Sequence, residues 1–83
     1  MSKLIFEIAG DERKWDIILN DFLGEKLKEE CIVENDATIK KHWARVHFLN
    51  YKNNPELIEK LSKAENIMSA YIIDNKEIIK RIR

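Results

Sequence analysis

The chain has 83 residues, of which 45% are hydrophobic and 36% charged, and this composition excludes an intrinsically disordered protein. Fifteen Lys and Arg residues balance fifteen Asp and Glu residues, so the whole molecule has no net attraction for nucleic-acid phosphates or anionic membranes. The single cysteine, Cys31, excludes an internal disulfide and is typical of a reducing compartment. The sequence predicts neither a signal peptide nor a membrane-spanning segment. We therefore expect residues 1–83 to form a single cytoplasmic domain with no membrane partner.

The first part of the chain predicts a strand followed by a helix. Apolar and polar residues alternate over residues 3–9, which is the period of a half-buried strand. After a cap at Asp11, apolar residues recur at helical spacing and indicate a helix that packs on the sheet: Trp15, Ile18, Leu19, Phe22 and Leu23. Gly24 stands where a glycine cap would end this helix, although the residues after it could also continue the helix.

A β-hairpin and a second helix are predicted next. The apolar residues after Cys31 lead into the turn signal Asn35-Asp36, and a second extended run follows over residues 40–51. Asn54 followed by Pro55 indicates a helix start, because proline is favoured at the first helical position. The apolar face of this helix comprises Leu57, Ile58, Leu61 and Ala64.

The last part of the chain has two interpretations. Residues 67–73 have the length and the β-forming residues of a buried strand, and we expect residues 66–73 to pair with residues 3–9. Asp74, with Glu77 three residues later, is typical of a capping box and predicts a short final helix. The alternative is one continuous helix from Pro55 onward, because a heptad pattern also fits Leu57, Leu61, Ala64, Met68, Tyr71, Asn75, Ile78 and Ile82.

The favoured element order, β-α-β-β-α-β with a short C-terminal helix, predicts an α+β fold. It is the order of a ferredoxin-like sandwich, in which a four-stranded antiparallel sheet carries helices on one face. The alternative fold is β-α-β-β followed by one long C-terminal helix. In the favoured fold, one face of the sheet remains open.

No local signature of catalysis occurs in the sequence. It has no glycine-rich phosphate loop, no serine elbow and no histidine pair at helical spacing. His42 and His47 are five residues apart, so on one strand they point to opposite faces and do not share a metal ion. We expect a protein that is not an enzyme and that has no cofactor and no metal site.

Residues 40–52 are the most informative segment, because they combine cations with large aromatic rings. As a strand, the segment alternates between a helix-covered face and an open face. The residues expected on the helix-covered face are Ala44, Val46 and Phe48. The candidate binding residues, expected on the open face, are Lys41, Trp43, Arg45, His47 and Tyr51.

Within this segment, a cation, an aromatic residue, a small residue, a valine and a second aromatic residue occur at Lys41, Trp43, Ala44, Val46 and Phe48. This pattern resembles the third-strand motif of RNA recognition modules, and the resemblance implies RNA contact through the open face. It covers eight residues and departs from the motif twice. His42 replaces the glycine of the motif, and Arg45 replaces a second stacking aromatic residue.

We interpret the chain as a small regulator or inhibitor that binds a protein partner through the open face, since Trp, Tyr and Arg are enriched in binding hot spots. We also expect a homodimer, because a core this small gains stability from association. A second interpretation is binding of RNA or single-stranded nucleic acid, with inhibition of a nucleic-acid enzyme such as a toxin ribonuclease or a phage target. A third, based on fold analogy, is a dimeric small-molecule sensor.

Overall fold

The computed structural model of the chain describes residues 1–10, 12–34 and 43–83. Five antiparallel strands form one sheet, and two helices pack on one side of it, which confirms the α+β class. The elements in chain order are β1 (Ser2–Ala9), α1 (Glu12–Glu29), β2 (Cys31–Glu34), β3 (Trp43–Phe48), a 3-10 turn (Tyr51–Asn53), α2 (Pro55–Lys63), β4 (Ile67–Asp74) and β5 (Glu77–Arg81). The strand order across the sheet is β2-β3-β1-β4-β5.

The core lies between the sheet and the helices and takes alternate residues of each central strand. In β3 the buried residues are Ala44, Val46 and Phe48, as the alternation predicts. In β1 they are Leu4, Phe6 and Ile8, and the helices contribute Trp15, Leu19, Leu23, Leu57 and Leu61. Because side chains alternate along a strand, the intervening residues point to the opposite side, which we call the open face.

α1 consists of two helical segments, because the backbone is not helical at Gly24. Gly24 has φ 69° and ψ 170°, a left-handed conformation in which a residue with a Cβ atom is strained. The glycine thus ends one helical segment, as the sequence predicted, and a second helical segment follows it within α1. The predicted cap at Asp11 and the predicted turn at Asn35-Asp36 lie outside the described residues.

The chain leaves the sheet after Phe48, so the predicted strand over residues 40–51 is too long at its C-terminal end. Its first residues, 40–42, lie outside the described part of the chain. Asparagine side chains stabilise the turn that follows: Asn53 Nδ2 donates to Asn50 Oδ1 at 2.6 Å, and Asn54 Nδ2 donates to the Asn50 carbonyl oxygen at 3.0 Å. The second helix begins at Pro55 as predicted, although the Asn54 side chain makes no capping hydrogen bond.

The strand predicted over residues 67–73 is confirmed, since β4 pairs antiparallel with β1. The short terminal helix and the alternative long helix are both wrong, because residues 77–81 form β5 beside β4. The two strands are joined by Asn75 and Lys76, which have φ values of 50° and 68°. Two residues with positive φ make a tight hairpin turn, so Asp74 and Glu77 face each other across a hairpin instead of capping a helix.

Candidate functional site

The structure places three of the five candidate residues on the open face. Trp43, Arg45 and His47 are partly exposed and alternate with the buried residues of β3. Tyr51 was predicted beside them, and this prediction is wrong: its ring lies in the core, 7% exposed, and its hydroxyl is 2.7 Å from Ser2 Oγ. The strand alternation does not reach Tyr51, because the chain turns between Phe48 and Tyr51. Lys41 lies outside the described residues.

Two rows of side chains cross the open face, since residues paired in neighbouring strands point to the same side. We name each row after one of its residues. The Arg45 row crosses β2, β3, β1 and β4 and consists of Glu34, Arg45, Glu7 and Ser69. The Tyr71 row crosses all five strands and consists of Ile32, His47, Ile5, Tyr71 and Arg81. Trp43 lies at the end of β3, opposite Ala9.

Carboxylates on both sides hold the guanidinium of Arg45. Its Nη1 donates to Glu34 Oε1 at 3.3 Å, and its Nη2 lies 3.7 Å from Glu7 Oε2. The hydroxyl of Ser69 donates to Glu7 Oε1 at 2.6 Å, which fixes that carboxylate from its other side. The Arg45 row is therefore a connected polar network whose one cation is compensated by two anions.

Aromatic rings stack with cations at two places on the open face. The Arg45 Cζ atom lies 5.4 Å from the centre of the Trp43 ring, and the Arg81 Cζ atom lies 5.5 Å from the centre of the Tyr71 ring. Both distances are within the range of a cation–π interaction. The first stack restrains the Trp43 ring beside the Arg45 network.

His47 joins the two rows. Its Nε2 lies 3.4 Å from Glu34 Oε2, a contact that is ionic only when the ring is protonated. Burial of the ring lowers the pKa of His47 from its ordinary value, and the Lys3 ammonium lowers it further, against the opposing effect of Glu34. The ring is consequently neutral at pH 7 and adds no positive charge to the open face.

The open face also has its own small apolar centre. Ile5, which interrupts the alternation of residues 3–9, is 4% exposed although it does not belong to the main core. It is paired with His47 on one side and with Tyr71 on the other. Ile32 stands at the end of the same row and is exposed. The Tyr71 row thus presents apolar and aromatic surface next to the polar network.

The sequence interpretation missed several residues of this face. Tyr71 shares its face with Ser69 and Ile73, and the alternation of the predicted strand 67–73 contained that signal. Arg81 could not be found in this way, because its segment was predicted to be helical. Glu34 could not be matched with Arg45 either, because the register of a hairpin depends on its turn.

The groups available for chemistry are few among the described residues. They contain no cluster of three or more His, Cys, Asp or Glu side chains that could hold a metal ion. Burial and the Glu30 carboxylate raise the pKa of the Cys31 thiol to about 11, so it is protonated at neutral pH. The helices that the structure describes include none long and apolar enough to cross a membrane. In comparisons with known proteins, no family model, no curated protein and no solved structure matches the chain.

Proposed function

We propose that this chain is a small regulator or inhibitor that binds another protein through the open face, with Trp43 and Arg45 as anchors. It acts by occupying the surface of its partner and performs no chemistry on it. The observation that carries the proposal is the pairing of Arg45 with both Glu7 and Glu34 beside the Trp43 ring.

The charge on Arg45 favours a protein over a nucleic acid as the partner. A nucleic-acid surface needs cations that can neutralise phosphates, and binding strength follows their number. Here the Arg45 guanidinium is already compensated, and the two carboxylates beside it would repel a phosphate backbone. A protein surface carries no such uniform negative charge, so it can meet this mixed polar network without that repulsion.

The residue types on the open face are those that contribute most to protein binding. Trp, Tyr and Arg are enriched in hot spots, and restrained side chains lose less entropy on binding. Trp43 and Tyr71 each stack with an arginine, which restrains them. Ile32, which is exposed on the edge strand β2, adds apolar surface of the kind that an interface centre requires.

We further infer that the domain is ferredoxin-like, with β5 added at one edge. Helices follow β1 and β3, and the first four strands lie in the order β2-β3-β1-β4. Such an arrangement keeps both helices on one side and leaves the other side of the sheet free for a partner.

The proposal is tested by affinity capture from the source organism. The wild-type chain, Trp43→Ala and Ile17→Ala are immobilised separately, and the bound material is analysed for both protein and nucleic acid. Ile17 is exposed on α1, which makes it a control on the opposite side of the molecule. We expect one protein to bind the wild type and Ile17→Ala, to be lost with Trp43→Ala, and to persist after nuclease treatment.

Two results would contradict the proposal. Material that disappears on nuclease treatment, and whose binding falls steeply with salt, would identify the partner as RNA and would overturn the protein assignment. Equal binding to all three immobilised chains would exclude the open face as the binding surface.

A further inference from the structure

The two outermost strands of the described sheet, β2 and β5, present backbone edges and exposed apolar residues. Ile32 and Val33 are exposed on β2, and Ile78 and Ile79 are exposed on β5. An edge strand has unpaired N–H and C=O groups that can pair with a strand of another molecule. Both edges therefore combine hydrogen-bonding capacity with apolar surface.

The two edges carry opposite charges. Residues 29–34, which we call the acidic edge, comprise β2 and the two residues before it, and they contain three glutamates and no lysine or arginine. Residues 76–83, which we call the basic edge, contain four cations, Lys76, Lys80, Arg81 and Arg83, against the single carboxylate of Glu77. The edges lie at opposite ends of one sheet, so the chain is neutral overall yet polarised across its width.

This polarity decides between the ways in which two copies could pair. Pairing a strand with its own counterpart in a two-fold dimer would place cations beside cations at the basic edge, or carboxylates beside carboxylates at the acidic edge. Like charges facing each other across strands are destabilising, and opposite charges are stabilising. The charge that prevents each edge from pairing with itself therefore favours pairing with the other edge.

We propose that the basic edge of one copy pairs with the acidic edge of a second copy, so that the sheets of successive copies join end to end. Because the two surfaces in this contact differ, the contact does not close at a dimer and permits further addition. This contact runs along the strand edges and shares Ile32, Glu34 and Arg81 with the open face, but it does not depend on the protein partner proposed above.

The test uses charge reversal at exposed positions. The acidic-edge variant is Glu29→Lys with Glu30→Lys, and the basic-edge variant is Lys80→Glu with Arg83→Glu; all four side chains are exposed. The control, Glu56→Lys with Glu65→Lys, makes the same change in net charge as the acidic-edge variant, at exposed positions away from both edges. Average mass is measured by sedimentation against protein concentration, and circular dichroism checks that each variant is folded.

The measurement is made at an ionic strength of about 0.01 M, where charges interact over about 30 Å. We expect the average mass of the wild type and of the control to lie above the 9.9 kDa of a monomer and to rise with protein concentration. Each edge variant alone should associate at least about tenfold more weakly. An equimolar mixture of the two edge variants should recover association, because it again offers unlike edges. The single substitutions Glu30→Lys and Lys80→Glu give the same test if a double variant does not fold.

Three results would overturn the proposal. One is a wild-type chain that stays at 9.9 kDa throughout the concentration series. Another is a mass that levels off at a dimer and is unchanged in both edge variants, which would indicate a closed dimer through another surface. The third is a mixture of the edge variants that associates no better than either variant alone.

Discussion

Val46 and Val33 offer a matched test of how far the core extends across the helix-covered face of the sheet, from β3 to the edge strand β2. The two residues are cross-strand partners in the hairpin of β2 and β3, but Val46 is 0% exposed and Val33 is 44% exposed. Val46→Ala removes two buried methyl groups, at about 0.8 kcal/mol each, and leaves a cavity whose cost adds to this loss. We expect the free energy of unfolding to fall by about 2–3 kcal/mol.

The same substitution at Val33 removes methyl groups that are already in contact with water. We expect Val33→Ala to lower the free energy of unfolding by about 1 kcal/mol or less, most of it from the lower strand propensity of alanine. Urea denaturation measures both values, and the melting temperature of Val46→Ala should fall by roughly 10–20 °C. Equal losses at the two positions would refute the burial of Val46 in the core and the exposure of Val33 at the edge of the sheet.

Three further perturbations test particular contacts. Tyr51→Phe removes the hydrogen bond to Ser2 Oγ but keeps the ring in the core. Urea denaturation should show that the free energy of unfolding falls by about 0.5–1.5 kcal/mol, and an unchanged free energy would contradict this hydrogen bond. Lys76→Gly relieves a left-handed residue and should raise the free energy of unfolding by about 0.5–1 kcal/mol; a decrease would count against the hairpin turn. Because the pKa of His47 is lowered in the folded chain, the unfolded chain binds a proton first as the pH falls. The contribution of neutral His47 to the free energy of unfolding is therefore present above pH 6.5 and is lost below it. His47→Gln should flatten this part of the profile of stability against pH, and an unchanged profile would contradict the lowered pKa of His47.

The sequence was most informative where one face of an element is buried. The alternation in β1 and β3 and the helical spacing of Trp15, Leu19 and Leu23 identified core residues correctly, because burial on one face imposes a period. Residues 67–73 form a strand, as favoured, although a heptad pattern also fitted the same residues. Short apolar runs fit both periods, and pairing with β1 supplies the information that the local sequence lacks.

Local turn chemistry explains the main errors. Tyr51 was assigned to the open face by extending the alternation beyond Phe48, although Asn50, Asn53 and Asn54 together are a turn signal. At the C-terminus, Asp74 and Glu77 have the spacing of a capping box, but the same spacing fits the two ends of a two-residue hairpin turn. The predicted helix was therefore β5, and with it the stack of Arg81 on Tyr71 was missed.

Half of the candidate site depends on contacts between distant parts of the chain. Trp43, Arg45 and His47 follow from the alternation of one strand, and their position on the open face is confirmed. The compensation of Arg45 by Glu7 and Glu34 depends on the registers of β1 and β2 against β3. No periodicity encodes these registers, yet they are the reason for preferring a protein partner to a nucleic acid.

The most direct test of the proposed function is the affinity of the captured partner for three variants. Trp43→Ala should weaken binding by at least about thirtyfold, which corresponds to about 2 kcal/mol, while its melting temperature stays close to that of the wild type. Ile17→Ala, on the exposed side of α1, should bind with unchanged affinity, and Val46→Ala should lose affinity only in proportion to the fraction unfolded. An unchanged affinity for Trp43→Ala, or a Trp43→Ala chain that unfolds like Val46→Ala, would contradict the assignment of the open face as the binding surface.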